Sequence, residues 1–453
     1  MGSSRGIGEG ERDERETERR EGEGAGEGDQ EEGDSFLPLR PPLLNSGINS
    51  FKFFLAYKDA FAVDDSTLLK AFEACKRHGA LAMVHCENAD AVDLWQRKVL
   101  KLKITGPEGH ALSRPSVLED EGTKRALSLA ALVGAPLYVV HVMSAGASAL
   151  ISAARNGRDL SFPFPQRVWG EAVVSGIAGD DSKVFSRDFR TAAASVMSPP
   201  IRSPRHREAL RAALAGGDLS VLATDHAVFN FSQKLAGRGD FRLIPNGVNG
   251  IEERLVVAWD ALVAGGARDG LGSEVPRATA TPSRLVELVS AAPSKLFGLY
   301  PRKGAIAPGS DADIVLFDPM GETEIGVEEK EEAGRGRKHH SRVDTNVYEG
   351  RKVKGRVATT IFSGRVVWDG TELTARRGAG KRLALPAFVD AVFGGLQSRE
   401  GEEEEARGRD GAAGAELIER WEREFPYGEL PIQRGGGGGE SASSPLREQR
   451  GEL

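Results

Sequence analysis

The chain is poor in the residues that mark secreted, membrane-spanning and nucleic-acid-binding proteins. Among 453 residues there are only two cysteines, Cys75 and Cys86. That is no disulfide framework, and it fits a reducing compartment. No run of about 18 apolar residues occurs, as a membrane-spanning helix would need. The N-terminal stretch lacks the apolar core of a secretory signal. The expectation is a cytoplasmic protein without a membrane partner. Excess basic charge is also missing. Residues 1–34 hold 13 acidic and 5 basic residues, so the remainder of this chain of net charge −7 is close to neutral. A near-neutral body has no field for nucleic acid. Histidine is sparse: there are eight, none before His78, and no His-x-His pair.

Apolar residues are scarce at both ends. Residues 1–45 form an acidic head rich in Gly, Glu and Arg, with too little to bury to offset ordering entropy, and are expected to be disordered. Residues 386–453 are expected to form a low-complexity tail, with Glu402-Glu403-Glu404-Glu405 and the glycine run from Gly435 to Gly439. Between them the pattern is regular. Short apolar runs that end in a polar residue alternate with amphipathic helical stretches. Strands are expected at 51–57, 80–84, 136–140 and 219–223, and helices at 89–102, 117–133, 145–155, 204–214, 252–263 and 282–299. From Ala312 strands follow one another without helices, at 313–317, 353–357, 360–362 and 366–368, with Gly364 turning the last pair. Alternating strands and helices imply a parallel sheet covered on both faces. The expected class is α/β. Residues 46–305 would form a partial (β/α)8 barrel, and residues 306–385 a small β-sandwich segment that returns to the barrel.

Lys52 stands in the run Phe51-Lys52-Phe53-Phe54, with Tyr57 five residues on. Period-two alternation puts Lys52, Phe54 and Ala56 on one face. The strand must bend at its end for Lys52 and Tyr57 to share a cavity. A lysine here is either an edge residue that snorkels or a desolvated amine of lowered pKa. A neutral amine is a nucleophile, or adds carbon dioxide to give an anionic carbamate. Three further strands end in His85, His141 and Asp225. In a (β/α)8 barrel, chemistry gathers at the C-terminal ends of the strands. Imidazoles and oxygen anions suit zinc-like ions. A carbamate on Lys52 would bridge two of them, and the pair would hold a hydroxide and polarise a carbonyl. Asp225 would shuttle the proton and Tyr57 would donate to the oxyanion. The chemistry is hydrolysis of an amide-type bond.

Several collinear stretches resemble the dihydropyrimidinases and D-hydantoinases of the amidohydrolase superfamily. They include Val84-His85-Cys86-Glu87-Asn88, Ile104 through His110, Val140-His141-Val142-Met143-Ser144, Met197-Ser198-Pro199-Pro200-Ile201-Arg202, Thr224-Asp225 and Ile244-Pro245-Asn246-Gly247-Val248-Asn249-Gly250. The resemblance runs from about Gly47 to Gly380. It implies a metal-dependent barrel with a composite β-sandwich, two divalent metal ions (zinc), and a homotetramer. The implied activity opens 5,6-dihydropyrimidines or hydantoins to N-carbamoyl amino acids. It implies Lys52 as the carbamylated bridging ligand, His85 and His141 as ligands of the second metal, and Asp225 as a ligand of the first metal and proton shuttle. Tyr57, Ser198 and Asn246 would be the substrate contacts. The departure is the absent His-x-His pair, which in that family binds the first metal; the segment before Ser46 is too short for the βα units that carry it. The expectation is therefore an N-terminally incomplete barrel, and the alternative is a non-catalytic scaffold like the collapsin-response-mediator relatives. His339 and His340 are expected to be structural, Cys86 a packed core thiol, and His110 a loop-structural residue. His226 is expected either to orient ligands or to be structural.

Overall fold

The computed structural model describes residues 46–158, 165–264, 280–326 and 339–394. The expected disordered head and the low-complexity runs at 402–405 and 435–439 lie outside these residues. Five parallel strands pair in chain order: β1 Ser50–Phe54, β2 Leu81–His85, β3 Leu137–Val142, β4 Val168–Val173 and β5 Val221–Ala223. The register sets Lys52 beside Met83 and Phe54 beside His85. Val84 stands beside Val139, and Val173 beside Ala223. The C-terminal ends of the strands therefore lie level, and residues that follow them meet.

The connecting helices arise from local signals. Helix α1, Asp65–Arg77, is capped by the Asp64 carboxylate on the Thr67 amide, and α2, Ala89–Lys101, by Asn88 on Ala91. The short α3 spans Glu108–Leu112. Next come α4, Ser116–Val133, ended by left-handed Gly134, and α5, Ala145–Arg155, capped by Ser144. Helix α6 spans Pro204–Gly216, with proline in its first turn. After it come α7, Phe231–Leu235, and α8, Arg254–Leu262. A further helical run over residues 282–296 widens to π geometry at Glu287–Ala291, just before Pro293. Proline cannot donate to the helix, and the wider turn lies where that bond is lost.

Alternation along the strands sorts two cores. Ala82, Val84, Leu137 and Val139 pack with Leu68, Phe72, Leu127 and Ile151 of the covering helices. On the other face Leu81, Tyr138, Val140 and Val221 meet Leu296 and the later Val389, Val392 and Phe393. That return of the chain is hydrogen-bonded from Phe388 N to Gly79 O. The second sheet is antiparallel, β6 Ile314–Glu324, β7 Lys352–Phe362 and β8 Arg365–Trp368. It leans on α8 through Phe317 against Trp259, with ring centroids 5.0 Å apart. The architecture is thus the expected α/β class, a parallel sheet of barrel type with a small antiparallel unit. Two details differ. The strands expected at 353–357 and 360–362 are one continuous β7. No strand is expected at β4, because Gly170 and Glu171 break its apolar run.

Helix α4 approaches the end of β2 so closely that Gly122 has no room for a side chain. A Cβ there would stand 2.9 Å from the Cys86 carbonyl carbon and 3.0 Å from the Glu87 nitrogen. Gly122→Ala gains about 1 kcal/mol of helix propensity but costs about 1–3 kcal/mol of overpacking. Urea denaturation is expected to show a net loss of stability; an unchanged or higher midpoint would contradict this packing.

Candidate active site

The seven residues singled out from the sequence converge at one end of the parallel sheet. His85 closes β2 and His141 lies in β3, where the ladder slips between Val139 and Val142. At that irregularity His141 takes φ 38°, which re-aims its side chain, as bulges beside active sites do. Seven non-glycine residues have positive φ among the described residues, and three of them are Tyr57, His141 and Asp225. Such conformations cost free energy at an L-residue, so strain is concentrated where function is expected.

His85 Nδ1 and His141 Nε2 lie 2.9 Å apart, and both rings are buried. His85 Nε2 donates to Glu87 Oε2 at 2.9 Å. Arg114 Nη1 donates to the same oxygen at 2.7 Å. Burial opposes a charge on Glu87, yet Arg114 and His85 hold its carboxyl down to about 2. Burial keeps His85 below the ordinary histidine value, helped by the charges of Arg114 and Lys52 and resisted by Glu87. Burial, then His85 and Lys52, holds His141 well below it. Both imidazoles are therefore neutral, the form that binds metals. With its Nε2 proton committed to Glu87, His85 turns the Nδ1 lone pair toward His141. A carboxylate that fixes the tautomer of a ligating histidine is a common second partner in metal sites.

Lys52 departs from the expected buried amine: it is exposed. β1 is an edge of the described sheet, so no neighbouring strand covers its inner face. The ammonium lies 5.0 Å from the Phe54 ring centroid. Its charge is felt by His85, His141 and Glu171. Asp225, half-buried two residues beyond β5, also acts on Glu171. Glu171 Oε2 accepts from the Tyr138 hydroxyl at 2.7 Å, and Oε1 accepts from the His141 amide at 3.2 Å. Among the described residues no three His, Cys, Asp or Glu groups are arranged to hold a metal ion. The donors present are two facing imidazoles with Lys52 nearby, a set that a carbamate on Lys52 would complete. The donor chemistry fits one divalent ion. For a second, Lys52 and Asp225 remain among the described residues.

Tyr57, Ser198 and Asn246 meet although 141 and 48 residues separate them in sequence. Ser198 and Asn246 lie close enough to the Tyr57 hydroxyl to act on its ionisation, and burial raises its pKa against the pull of Arg114 and of these two side chains. The phenol is thus a donor at neutral pH.

The other histidines separate from this group. His110 is buried and donates from Nε2 to the Met197 carbonyl at 2.7 Å, which sets it behind Ser198 and not merely in a loop. His226 Nδ1 accepts the amides of Gly250 and Ile251 at 3.1 and 3.2 Å, a structural role. His339 and His340 pair with Glu253 and Glu252 at 2.7 and 2.8 Å, also structural. Cys86 is a buried core thiol whose pKa is raised by burial. The roles of Arg114 and Glu87 have no sequence signal beyond the motif that contains Glu87. Arg114 stands in an ordinary polar stretch and finds its partner 27 residues away.

Burial and the nearby Arg114 charge push His110 down to about 3 from an ordinary 6.5. Between these values the unfolded chain takes up a proton that the folded chain refuses, so stability falls as the pH falls. Substitution by Gln removes this response. The difference in unfolding free energy between wild type and His110→Gln is expected to narrow by about 2 kcal/mol from pH 7.5 to pH 5. A difference independent of pH in urea titrations contradicts a neutral buried His110.

Comparison with known proteins agrees with this arrangement. A family profile described as the amidohydrolase family matches residues 51–367. The chain is 48% identical over 351 residues to a dihydropyrimidinase of Arabidopsis thaliana, covering 78% of this chain and 61% of that protein. It is 42% identical over 304 residues to a D-hydantoinase of Geobacillus stearothermophilus, covering 67% and 58%. A D-hydantoinase crystal structure superposes with TM-score 0.68 at 39% identity, covering 77% of this chain and 70% of that one. A dihydropyrimidinase structure from Brevibacillus agri gives 0.67 at 38% identity, covering 76% and 68%. The chain spans less than two thirds of the length of these two curated relatives. With paired strand-end histidines, a barrel-type sheet and matches of this extent, the chain belongs to the amidohydrolase family, in its dihydropyrimidinase and D-hydantoinase branch.

Proposed function

We propose that this protein is a metal-dependent hydrolase that opens cyclic amides, 5,6-dihydropyrimidines or hydantoins, to N-carbamoyl amino acids. The supporting observation is the meeting of two neutral histidines with the Tyr57, Ser198 and Asn246 trio at one end of the parallel sheet. The printed names of the relatives, dihydropyrimidinase and D-hydantoinase, support the same chemistry. We place the enzyme in the cytoplasm as a homotetramer, with residues 46–305 as its barrel unit. Among the described residues no helix is long and apolar enough to cross a membrane.

Lys52 as its carbamate, His85, His141 and Asp225 would hold the divalent ions, zinc by donor type. When bound, such ions supply Lewis acidity at the scissile carbonyl and a nucleophilic water at neutral pH. The side chains supply the remainder. Asp225 accepts the proton of the attacking water on a carboxylate oxygen and passes it to the leaving ring nitrogen. Tyr57 donates from Oη to the carbonyl oxygen as negative charge develops on it. Ser198 and Asn246 hold the amide edge of the ring, so that the scissile bond faces Asp225.

The test is metal content and hydrolysis of dihydrouracil by the purified full chain supplied with zinc. About one firmly held ion per chain is expected, because the second position has two protein donors where three or four are usual. Slow ring opening should accompany it, and His141→Ala should lose both ion and turnover. Two ions with brisk turnover would sink the unequal-site reading. A chain that binds zinc through His141 yet never opens dihydrouracil or hydantoin would overturn the cyclic-amide assignment.

A further inference from the structure

Lys234, in the short helix α7, is 1% exposed. Its three hydrogen bonds all go to backbone carbonyls: Val196 at 3.2 Å, Pro245 at 3.1 Å and Gly247 at 3.0 Å. The Phe229 ring lies 5.8 Å from the ammonium. Among the described residues no carboxylate pairs with it, and burial alone pushes its pKa down to about 7. A buried ammonium without a counter-ion is costly. Its position shows what it does. Val196 precedes Ser198 by two residues, and Pro245 and Gly247 flank Asn246.

The two segments are linked directly as well, since the Gly247 amide donates to the Val196 carbonyl at 2.9 Å. From the other side His110 holds the Met197 carbonyl. Gly247 adopts φ 154°, and a Cβ on it would stand 2.1 Å from the Ala227 carbonyl oxygen. The segment is thus pressed onto the chain just after Asp225 and His226. An ammonium offers three donors from one atom, so one side chain meets three carbonyls that belong to no regular ladder. The planar arginine fork does not converge in this way.

We propose that Lys234 is a positioning residue for substrate binding, tying the segments that carry Ser198 and Asn246 into one fixed edge opposite the Tyr57 hydroxyl. The substrate named in the test rests on the cyclic-amide function proposed above; the brace itself rests on the hydrogen bonds. Without the ammonium, the Pro245 and Gly247 carbonyls lose their partner and the Val196 carbonyl keeps only the Gly247 amide, so the two segments loosen and the ring would be held loosely while the proton-transfer groups stay in place.

The test compares full-length wild type with Lys234→Met and Lys234→Gln by hydrogen exchange and by dihydrouracil kinetics. Methionine set among three carbonyls can cost the fold itself; glutamine, which keeps two N–H donors, is the second variant for that reason. Amides in 195–198 and 244–248 are expected to exchange at least about tenfold faster in Lys234→Met, and less so in Lys234→Gln, with β3 unchanged. KM should rise by about tenfold or more while kcat falls by a smaller factor, the pattern of lost ground-state binding. Loop exchange equal to wild type in a folded variant, or a uniform rise that includes β3, overturns the brace. Absence of turnover in wild type removes the substrate assignment instead, and the exchange comparison still decides for or against the brace.

Discussion

A chain of buried charges joins the ends of the strands, and the site depends on it. Glu87, just beyond β2, holds His85 and is itself held by Arg114. The Arg114 carbonyl accepts from Arg202, whose other nitrogen donates to Glu119 at 2.9 Å. Glu119, in α4, accepts the amides of Met143 and Ser144 at the end of β3, at 2.6 and 2.9 Å. Arg202 in turn lies in the segment that carries Ser198. Burial lifts the Glu119 carboxyl above the ordinary carboxylate range despite Arg202, so these charges are held at a cost. Apolar replacements of similar shape are often as stable as a buried ion pair. What they cannot do is commit the His85 proton to one nitrogen, or tie two strand ends and a substrate segment to a common frame.

That frame is rigid on one side and open on the other. His85 and His141 are enclosed by sheet, helix and polar partners, whereas Lys52 looks out from the edge strand of the described sheet. The difference matters for chemistry. Neutral, enclosed imidazoles suit a divalent ion, while the carbamate proposed on Lys52 would form on an exposed side chain. The segments that carry Ser198 and Asn246, the proposed substrate edge, are held separately, by His110 and Lys234 bonded to main-chain carbonyls. In the proposed function, ligands and substrate would thus be aimed by two different sets of buried polar residues, coupled where Arg202 and Ser198 share a segment.

The parts legible in the sequence share a physical cause. Helix α5 occupies its expected residues because Ser144 caps it and the alanine-rich run is locally helical. The strands that end in His85 and His141 were visible because an apolar run stops at a residue with ligand chemistry. Ser198 and Asn246 needed the family resemblance, since nothing in their local pattern marks them, whereas Tyr57 stood out where the apolar run from Phe51 ends. Strand β4 escaped notice because its interior holds Gly170 and Glu171, which only the neighbouring strands make compatible with a sheet. The lysine of Phe231-Ser232-Gln233-Lys234-Leu235 looks like any surface residue of a short amphipathic turn.

By itself the sequence determined the alternation of strands and helices and the α/β class, and it marked side chains whose chemistry suits a metal ion or proton transfer. Those properties depend on side-chain chemistry and on periodicity over a few neighbours. Only the tertiary structure decided that Lys52 is exposed, that Glu87 commits the proton of His85, and that His110 reaches a carbonyl 87 residues away. Burial and hydrogen-bond partners are set by which distant segments pack together, and no local pattern in the chain encodes that choice one residue at a time.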